Sequence, residues 1–175
     1  MLSLVLLSAL ATSHVLATPL LQTRDTCEAT SNRVCYGTEA GSSQGIDVTD
    51  VQLAADYLRF RASLNESEPQ YLTMGRGPTC VEELVPGPGG GGLTVVAKHI
   101  DPSVESSVLL TDIADAIDGG EMASPDERER ALIGCAEKGG QGGIKIDPNN
   151  PAYNTREYKS RNATPGGIIV KLVRS

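Results

Sequence analysis

Aromatic side chains are scarce in this sequence, which contains no tryptophan, one phenylalanine and five tyrosines among 175 residues. Acidic residues outnumber basic residues by 22 to 15, which leaves a net charge of −7. Nucleic-acid-binding proteins usually combine a basic surface with aromatic rings on which bases stack. The sequence therefore argues against nucleic-acid binding, and it predicts a core of valine, isoleucine, leucine and alanine.

Catalytic motifs are also missing from the sequence. It contains no His-Glu-x-x-His pair of zinc proteases, and its Gly-x-Ser-x-Gly pattern at 41–45 does not directly join a predicted strand to a predicted helix, as the nucleophile elbow of serine hydrolases does. His99 alternates with its neighbours along a predicted strand and is interpreted as structural. A carboxylate pair for glycoside cleavage is the open alternative, because Asp and Glu are plentiful, although sugar sites commonly use aromatic platforms. We assign no catalytic residue and no cofactor.

Three further segments resemble ligand sites only superficially. The glycine-rich segment 86–92 lacks the Lys and the Ser or Thr of a phosphate-binding loop and runs into a predicted strand, so we expect a mobile hairpin loop. The same objection predicts a turn or loop for segment 139–143. Asp112, Asp115 and Asp118 recur every three residues, but the usual calcium loop is absent. We expect them to form a solvated acidic face and assign no metal ligand.

Residues 1–17 form an apolar segment that is typical of a secretory signal peptide. The segment is shorter than the roughly twenty residues that span a bilayer, and it ends in the small or modest residues Val15-Leu16-Ala17. Residues 18–26 then form an extension, with processing after Arg24 as an alternative. We expect residues 27–175 to form a single secreted, extracellular domain without a stable membrane anchor.

All the cysteines follow this leader: Cys27, Cys35, Cys80 and Cys135. In an oxidising compartment such residues form disulfides, and zinc sites usually require close Cys-x-x-Cys pairs that are absent here. Four cysteines allow three pairings. We favour one bridge from the N-terminal segment to Cys80 and another to Cys135, since both would tie loose regions to the sheet. Glycosylation sequons at Asn65 and Asn162 fit the same secretory route.

Three helices are predicted from apolar spacing and capping residues. The first begins near Thr49 and fades near Leu64. The second is predicted from the apolar positions between Val108 and Ile117, with Ser103 or Ser106 as its cap, and a short third helix begins at Ser124. In the first helix the expected apolar stripe is Leu53, Ala54, Tyr57, Leu58 and Ala62. The residues of that helix expected to face solvent are Gln52, Asp56, Arg59 and Arg61.

Strands are predicted at 32–37, 79–85, 93–100, 143–146 and 167–173, where β-branched residues concentrate. Together with the helices they follow a β-α-β-β-α-β order with an added C-terminal strand. This order predicts an α+β fold of the split βαβ type, a two-layer sandwich in which an antiparallel sheet carries two main helices on one face. Alternatively, the C-terminal strand takes the final β position and 121–166 is a long excursion.

Several short motifs lie in order along the chain: Cys35-Tyr36-Gly37, residues 50–59, Gly77-Pro78-Thr79-Cys80, residues 107–114 and Gly134-Cys135. In these motifs the chain resembles small secreted proteins of filamentous fungi, in particular the necrosis-inducing effector and killer-toxin-like group. The resemblance implies a disulfide-stabilised sandwich of two helices on an antiparallel sheet and an effector-like or toxin-like role.

We therefore expect a secreted, non-catalytic protein that binds an unknown extracellular protein or cell-surface target. The alternatives are a small secreted hydrolase with a carboxylate pair and a protease inhibitor that presents the 86–92 loop. The sequence does not determine the oligomeric state.

Overall fold

The structure is a computed structural model that describes residues 31–64, 70–77 and 80–175. The predicted leader, the extension 18–26, Cys27 and Asn65 lie outside the described residues. The strands are β1 (Val34–Cys35), β2 (Tyr71–Met74), β3 (Glu82–Leu84), β4 (Leu93–His99), β5 (Ser106–Leu109), β6 (Gly140–Gly143), β7 (Thr164–Pro165) and β8 (Ile168–Arg174). The α-helices are α1 (Val48–Ser63), α2 (Leu110–Asp118), α3 (Pro125–Arg130) and α4 (Arg156–Ser160). Short 3-10 helices cover Leu132–Lys138 and Pro151–Asn154.

The strands form two sheets, which confirms a mixed helix and strand fold with antiparallel pairing. The larger sheet has five strands in the order β1-β6-β8-β4-β3, and all its pairs are antiparallel. The second sheet, β2-β5-β7, was not anticipated, and its β5 and β7 strands run parallel. The strands of this sheet have at most four residues, which are too few to produce a recognisable strand pattern in the sequence.

The main core is one apolar cluster to which α1, α2 and the central strands of the larger sheet all contribute. Helix α1 buries Val51 and Leu58, while α2 buries Ile113 and Ile117. These side chains pack into one cluster with Val95, Ala97, Val170 and Leu172 of the central strands. Burial of this apolar surface is the main force that holds the helices on the sheet. No helix among the described residues is long and apolar enough to cross a membrane.

Helix α1 differs from its prediction in its cap and in its buried face. Asp47, not Thr49, is the N-cap, and its Oδ1 accepts a hydrogen bond from the Thr49 N–H at 2.7 Å. An aspartate two residues earlier satisfies a free amide of the first turn and starts the helix at Val48. The helix buries Val51 and Ala55 as well as the predicted Ala54 and Leu58, whereas Leu53 is half exposed.

Helix α2 begins later than predicted because the preceding residues form a strand. Ser106–Leu109 pairs with Tyr71–Met74 as β5, so the predicted serine caps are wrong. Leu109 is the N-cap and makes no side-chain capping bond. The predicted end is confirmed, since Gly119 adopts the left-handed conformation with φ of 96° that glycine tolerates.

The predicted capping box of α3 is confirmed. The Ser124 hydroxyl accepts from the Glu127 N–H, while the Glu127 carboxylate accepts from the Ser124 N–H at 2.8 Å. Pro125 lies in the first turn, where a missing N–H removes no helical bond.

The sequence predicts a turn or loop for the glycine segment 139–143, and this prediction is wrong. The segment contains strand β6 of the larger sheet. Strand β6 lies between β1 and β8. A Cβ atom at Gly140 would lie 2.7 Å from the Val34 carbonyl oxygen and 3.0 Å from Cys135 Sγ. Glycine is therefore present because its neighbours approach too closely for a side chain, a reason that is invisible in the sequence.

The glycine-rich segment 86–92 connects β3 to β4 as a hairpin, as predicted. Its C-terminal end is anchored, because the Gly92 N–H donates to Asp50 Oδ2 at 2.9 Å. The Ser175 N–H also donates to the Gly92 carbonyl at 3.2 Å. The flanking strand is shorter than the predicted 79–85 and covers Glu82–Leu84.

One of the favoured disulfides is present. Cys35 and Cys135 are bonded, with their Cα atoms 5.3 Å apart, and join β1 to the 3-10 helix that follows α3. Cys80 is also disulfide-bonded. Its predicted pairing with the N-terminal segment concerns Cys27, outside the described residues, and stays a prediction.

Candidate functional site

A cleft of about 610 Å³ lies between the C-terminal end of α2, α3 and strand β6. Residues 31–33, which lead into β1, form its remaining wall. Leu132 and Gly142 are among its lining residues. A Cβ atom added at Gly142 would meet Leu132 Cδ2 at 3.5 Å, an ordinary van der Waals distance. The volume is in the range of small-ligand pockets.

Three cations lie on the walls of the cleft: Arg33, Arg130 and Lys145. Arg33 is hydrogen-bonded within the protein. Arg33 Nη1 donates to the Glu129 carbonyl at 2.5 Å and to the Ala131 carbonyl at 3.2 Å. These bonds fasten the segment before β1 to the end of α3. Arg130 and Lys145 are exposed and make no hydrogen bond or ion pair with any residue that the structure describes.

Two carboxylates line the same cleft, and both have partners within the protein. Asp115 pairs with Arg59 at 2.7 Å. Glu127 accepts from the N–H and the hydroxyl of Ser124, and these bonds lower the pKa of the Glu127 carboxyl. A carboxyl held ionised in this way is poorly suited to donate a proton as a general acid. The charge left available in the cleft is therefore positive, in a chain of net charge −7.

The wall formed by α2 is held by a buried ion pair. Arg59 donates to both carboxylate oxygens of Asp118, at 2.8 and 2.7 Å, and the Asp118 side chain is only 1% exposed. Burial alone would raise the pKa of Asp118, but bonds from Arg59, Gly120 and Gln52 outweigh it and keep that pKa below its usual value. Arg128 of α3 also donates to Gln52 at 2.5 Å, so one network joins α1, α2 and α3.

The solvated acidic face predicted for α2 is therefore wrong. Asp118 is buried against Arg59, and Asp112 accepts a 2.5 Å bond from the Tyr153 hydroxyl. Burial raises the pKa of Asp112, although the Tyr153 bond opposes this effect. Within the described residues, no cluster of three or more His, Cys, Asp and Glu side chains could hold a metal ion. The contacts of these aspartates could not be predicted from the sequence, because their partners Arg59 and Tyr153 are each about 40 or more positions away along the chain.

Asn162 is exposed with φ of 54° in the turn between α4 and β7, where its side chain is accessible. We expect protein secreted by a eukaryotic host to carry a glycan there, so that Asn162→Gln increases electrophoretic mobility. Thr164→Ser, which keeps a hydroxyl acceptor in the sequon, should preserve the glycan. Endoglycosidase digestion analysed by gel and mass spectrometry provides the measurement. An unmodified Asn162 in secreted protein would contradict the expectation.

The cleft cations Arg130 and Lys145 are not predicted as site residues from the sequence. No motif marks them, because each is an ordinary surface charge until α3 and β6 are brought together by the fold. Among the predicted site residues that the structure describes, Cys35, Cys80, Cys135 and Asn162 do not line the cleft. No family model, no curated protein and no solved structure matches this chain.

Proposed function

We propose that this chain is a secreted, effector-like or toxin-like protein that catalyses no reaction and binds an acidic segment of an extracellular or cell-surface protein in its cleft. The observation that carries the proposal is the pair of exposed cations, Arg130 and Lys145, which line the cleft and make no hydrogen bond or ion pair with a described residue, although the charge of Arg130 helps to lower the pKa of Glu127. The acidic groups beside them are already compensated. An incoming carboxylate can therefore pair with these cations without displacing an internal bond.

The lining of the cleft favours a peptide over a sugar. Among the described residues that form it, none is aromatic, whereas sugar sites commonly present aromatic platforms. Ala116 and Ala131 instead offer small apolar contacts beside the charges. An acidic segment with small apolar side chains matches both features. Charge complementarity would also select against basic partners.

The non-catalytic part of the proposal is supported by the state of the two carboxylates in the cleft. Glycoside cleavage needs one protonated and one ionised carboxyl flanking the bond. Here Asp115 is paired with Arg59, and the pKa of Glu127 is lowered by Ser124. The lowered pKa favours the ionised form of Glu127, so this carboxyl is poorly suited to act as the acid, and the Asp115 carboxylate is occupied by its ion pair with Arg59.

The compartment and the fold type are further parts of the proposal. The leader-like residues 1–17 and the Cys35–Cys135 bridge support a secreted protein, since structural disulfides persist in oxidising compartments. The packing of α1 and α2 with β4 and β8 in one core supports the two-layer sandwich implied by the resemblance to the effector and killer-toxin group.

We expect a fluorescent peptide of alternating Glu and Ala to bind the protein, and Arg130→Gln with Lys145→Gln to weaken binding by about two- to thirtyfold. Because both cations are exposed, each ion pair contributes roughly 0.2–1 kcal/mol, and about 1.4 kcal/mol corresponds to a tenfold change in affinity. Fluorescence anisotropy at low and high salt provides the measurement, because an ionic contact weakens as salt increases.

The matched control is Arg156→Gln with Lys159→Gln, which removes the same two charge types from α4, outside the cleft. This variant should bind the acidic peptide like the unsubstituted protein. The same peptide with Gln in place of Glu should bind no variant measurably. Equal binding by the cleft and control variants, or equal binding of the two peptides, would refute the proposal.

A further inference from the structure

His99 is buried where the two sheets meet. It ends β4 and pairs with Ile168 of β8 in the larger sheet. Its imidazole donates to the backbone carbonyl of Met74, which ends β2 in the second sheet. The residue is only 4% exposed. A single side chain therefore hydrogen-bonds across the junction.

The other ring nitrogen of His99 has no partner. Its Nε2 is buried without a hydrogen bond to any described residue, and so is Oγ of Ser106 on β5. The Ser106 hydroxyl packs against Gly167, where a Cβ atom would lie 2.9 Å from Oγ. A neutral imidazole leaves Nε2 as a bare acceptor, whereas a charged one adds a second N–H that needs an acceptor. Burying that unpaired, charged donor is strongly unfavourable.

We propose that His99 is an acid-sensitive latch that joins the two sheets while its ring is neutral and releases β2 and β5 from the larger sheet when it is protonated. The geometry that supports the proposal is the single bond to Met74 on one side of the ring and the unpartnered Nε2 on the other. The latch is independent of the proposed binding function, because His99 does not line the cleft.

Nearby carboxylates favour protonation of the His99 ring, but burial of the ring opposes protonation more strongly. Burial lowers the pKa of His99, and the carboxylates of Glu83 on β3 and Asp101 after β4 raise it by smaller amounts. The residues named above on the remaining strands at the junction are uncharged: Met74, Ser106, Gly167 and Ile168. The pKa of His99 in the folded protein therefore lies below the usual histidine value of 6.5.

The sign of the pH effect follows from this lowered pKa. Between the folded and unfolded pKa values of His99, the open or unfolded form binds more protons than the folded form. Stability is therefore fully present above about pH 6.5 and is lost as the pH falls through the folded value. The opening equilibrium constant should rise by up to about tenfold for each pH unit in this window.

Opening at this junction would also uncover a specific apolar cluster. Tyr71 of β2 and Leu109 of β5 pack with Tyr153 and Tyr158 in a second core, separate from the main one. The Tyr158 hydroxyl donates to the Ser107 carbonyl of β5 at 2.9 Å. Release of β2 and β5 would break these contacts and would also expose Met74 and Val108, which the two strands contribute to the main core.

Hydrogen exchange of the full chain at about pH 7.5 and about pH 5.5, corrected for intrinsic rates, tests the latch. We expect the β2 and β5 amides to open more readily at the lower pH, while the β4 and β8 amides change less. His99→Asn retains an N–H for the Met74 carbonyl but cannot be protonated, so this difference should disappear. Asp126→Asn is the control, because it removes a titratable group on the exposed helix α3, outside both sheets, and should retain the difference.

Equal opening of β2 and β5 at the two pH values in the unsubstituted protein would overturn the proposal, as would an unchanged difference in His99→Asn. If that variant does not fold, NMR titration of the His99 ring in the unsubstituted protein gives a second test. A ring that titrates at or above about 6.5, without changes in the β2 and β5 amides, would also overturn the latch.

Discussion

Arg59→Ala should lower the free energy of unfolding by about 3–5 kcal/mol, because it leaves the Asp118 carboxylate buried without its cation. Asp118 would keep only the bonds from Gln52, at 3.0 Å, and from the Gly120 N–H, also at 3.0 Å. Urea unfolding provides the measurement, and a lower midpoint with an unchanged slope would show that the folded state has lost stability. Arg156→Ala on α4 is the control and should change stability by less than about 0.5 kcal/mol.

The pH dependence of this loss is also specific. Because the pKa of Asp118 is lowered in the folded protein, this carboxylate contributes stability at pH values above the usual aspartate pKa of 3.8. That contribution is lost as the pH falls through the lower pKa of the folded protein. The penalty of Arg59→Ala should therefore shrink in acid, where the unpaired carboxyl can be protonated. Arg59→Leu combined with Asp118→Leu should recover most of the loss, since apolar pairs often replace buried ion pairs without penalty. A double variant as unstable as Arg59→Ala would contradict the account of an unpaired buried charge.

Removal of the Cys35–Cys135 bridge by Cys35→Ala and Cys135→Ala should lower the free energy of unfolding by about 3–5 kcal/mol. The two residues are 100 positions apart, so the bridge closes a long loop and restricts the unfolded chain strongly. The slope of urea unfolding should increase as well, because the uncrosslinked unfolded chain exposes more surface.

Single substitutions separate this entropic effect from damage to the folded state. Cys35→Ala alone breaks the same bridge and should be about as destabilising as the double variant. A much smaller loss in both, with an unchanged slope, would show that the bridge contributes little. A larger loss in the single variant would indicate that the freed Cys135 thiol, otherwise 3% exposed, disturbs the packing near Gly140.

Local sequence patterns predicted those elements whose causes are local. The Ser124 capping box, the left-handed Gly119 and the hairpin at 86–92 each depend on a few neighbouring residues, and the structure contains all three. The central pairing of β4 with β8 joins two segments that β-branched residues had marked as strands. The bridge to Cys135 also agrees with the favoured pairing.

Predictions failed where contacts distant in sequence override local preference. Ser106–Leu109 has apolar residues at helical positions, yet it forms a strand because Tyr71–Met74 is available to pair with it. Glycines 140 and 143 suggest a loop, yet they occupy a crowded strand where a side chain would collide with Val34 of β1 or with Ser31 before it. Arg59 was expected to face solvent, yet it neutralises a buried aspartate.

The sequence by itself determined the kind of chain this is: acidic, poor in aromatic residues, and rich enough in paired cysteines and apolar periodicity to predict a disulfide-stabilised α+β fold. Tertiary structure alone decided which charges are available. The α2 aspartates are bound to Arg59 and Tyr153, while Arg130 and Lys145 line a cleft without a hydrogen bond or ion pair to a described residue. The physical reason is that helix and strand periods depend on neighbouring residues, whereas the pairing of charges depends on distances that only the packed chain sets.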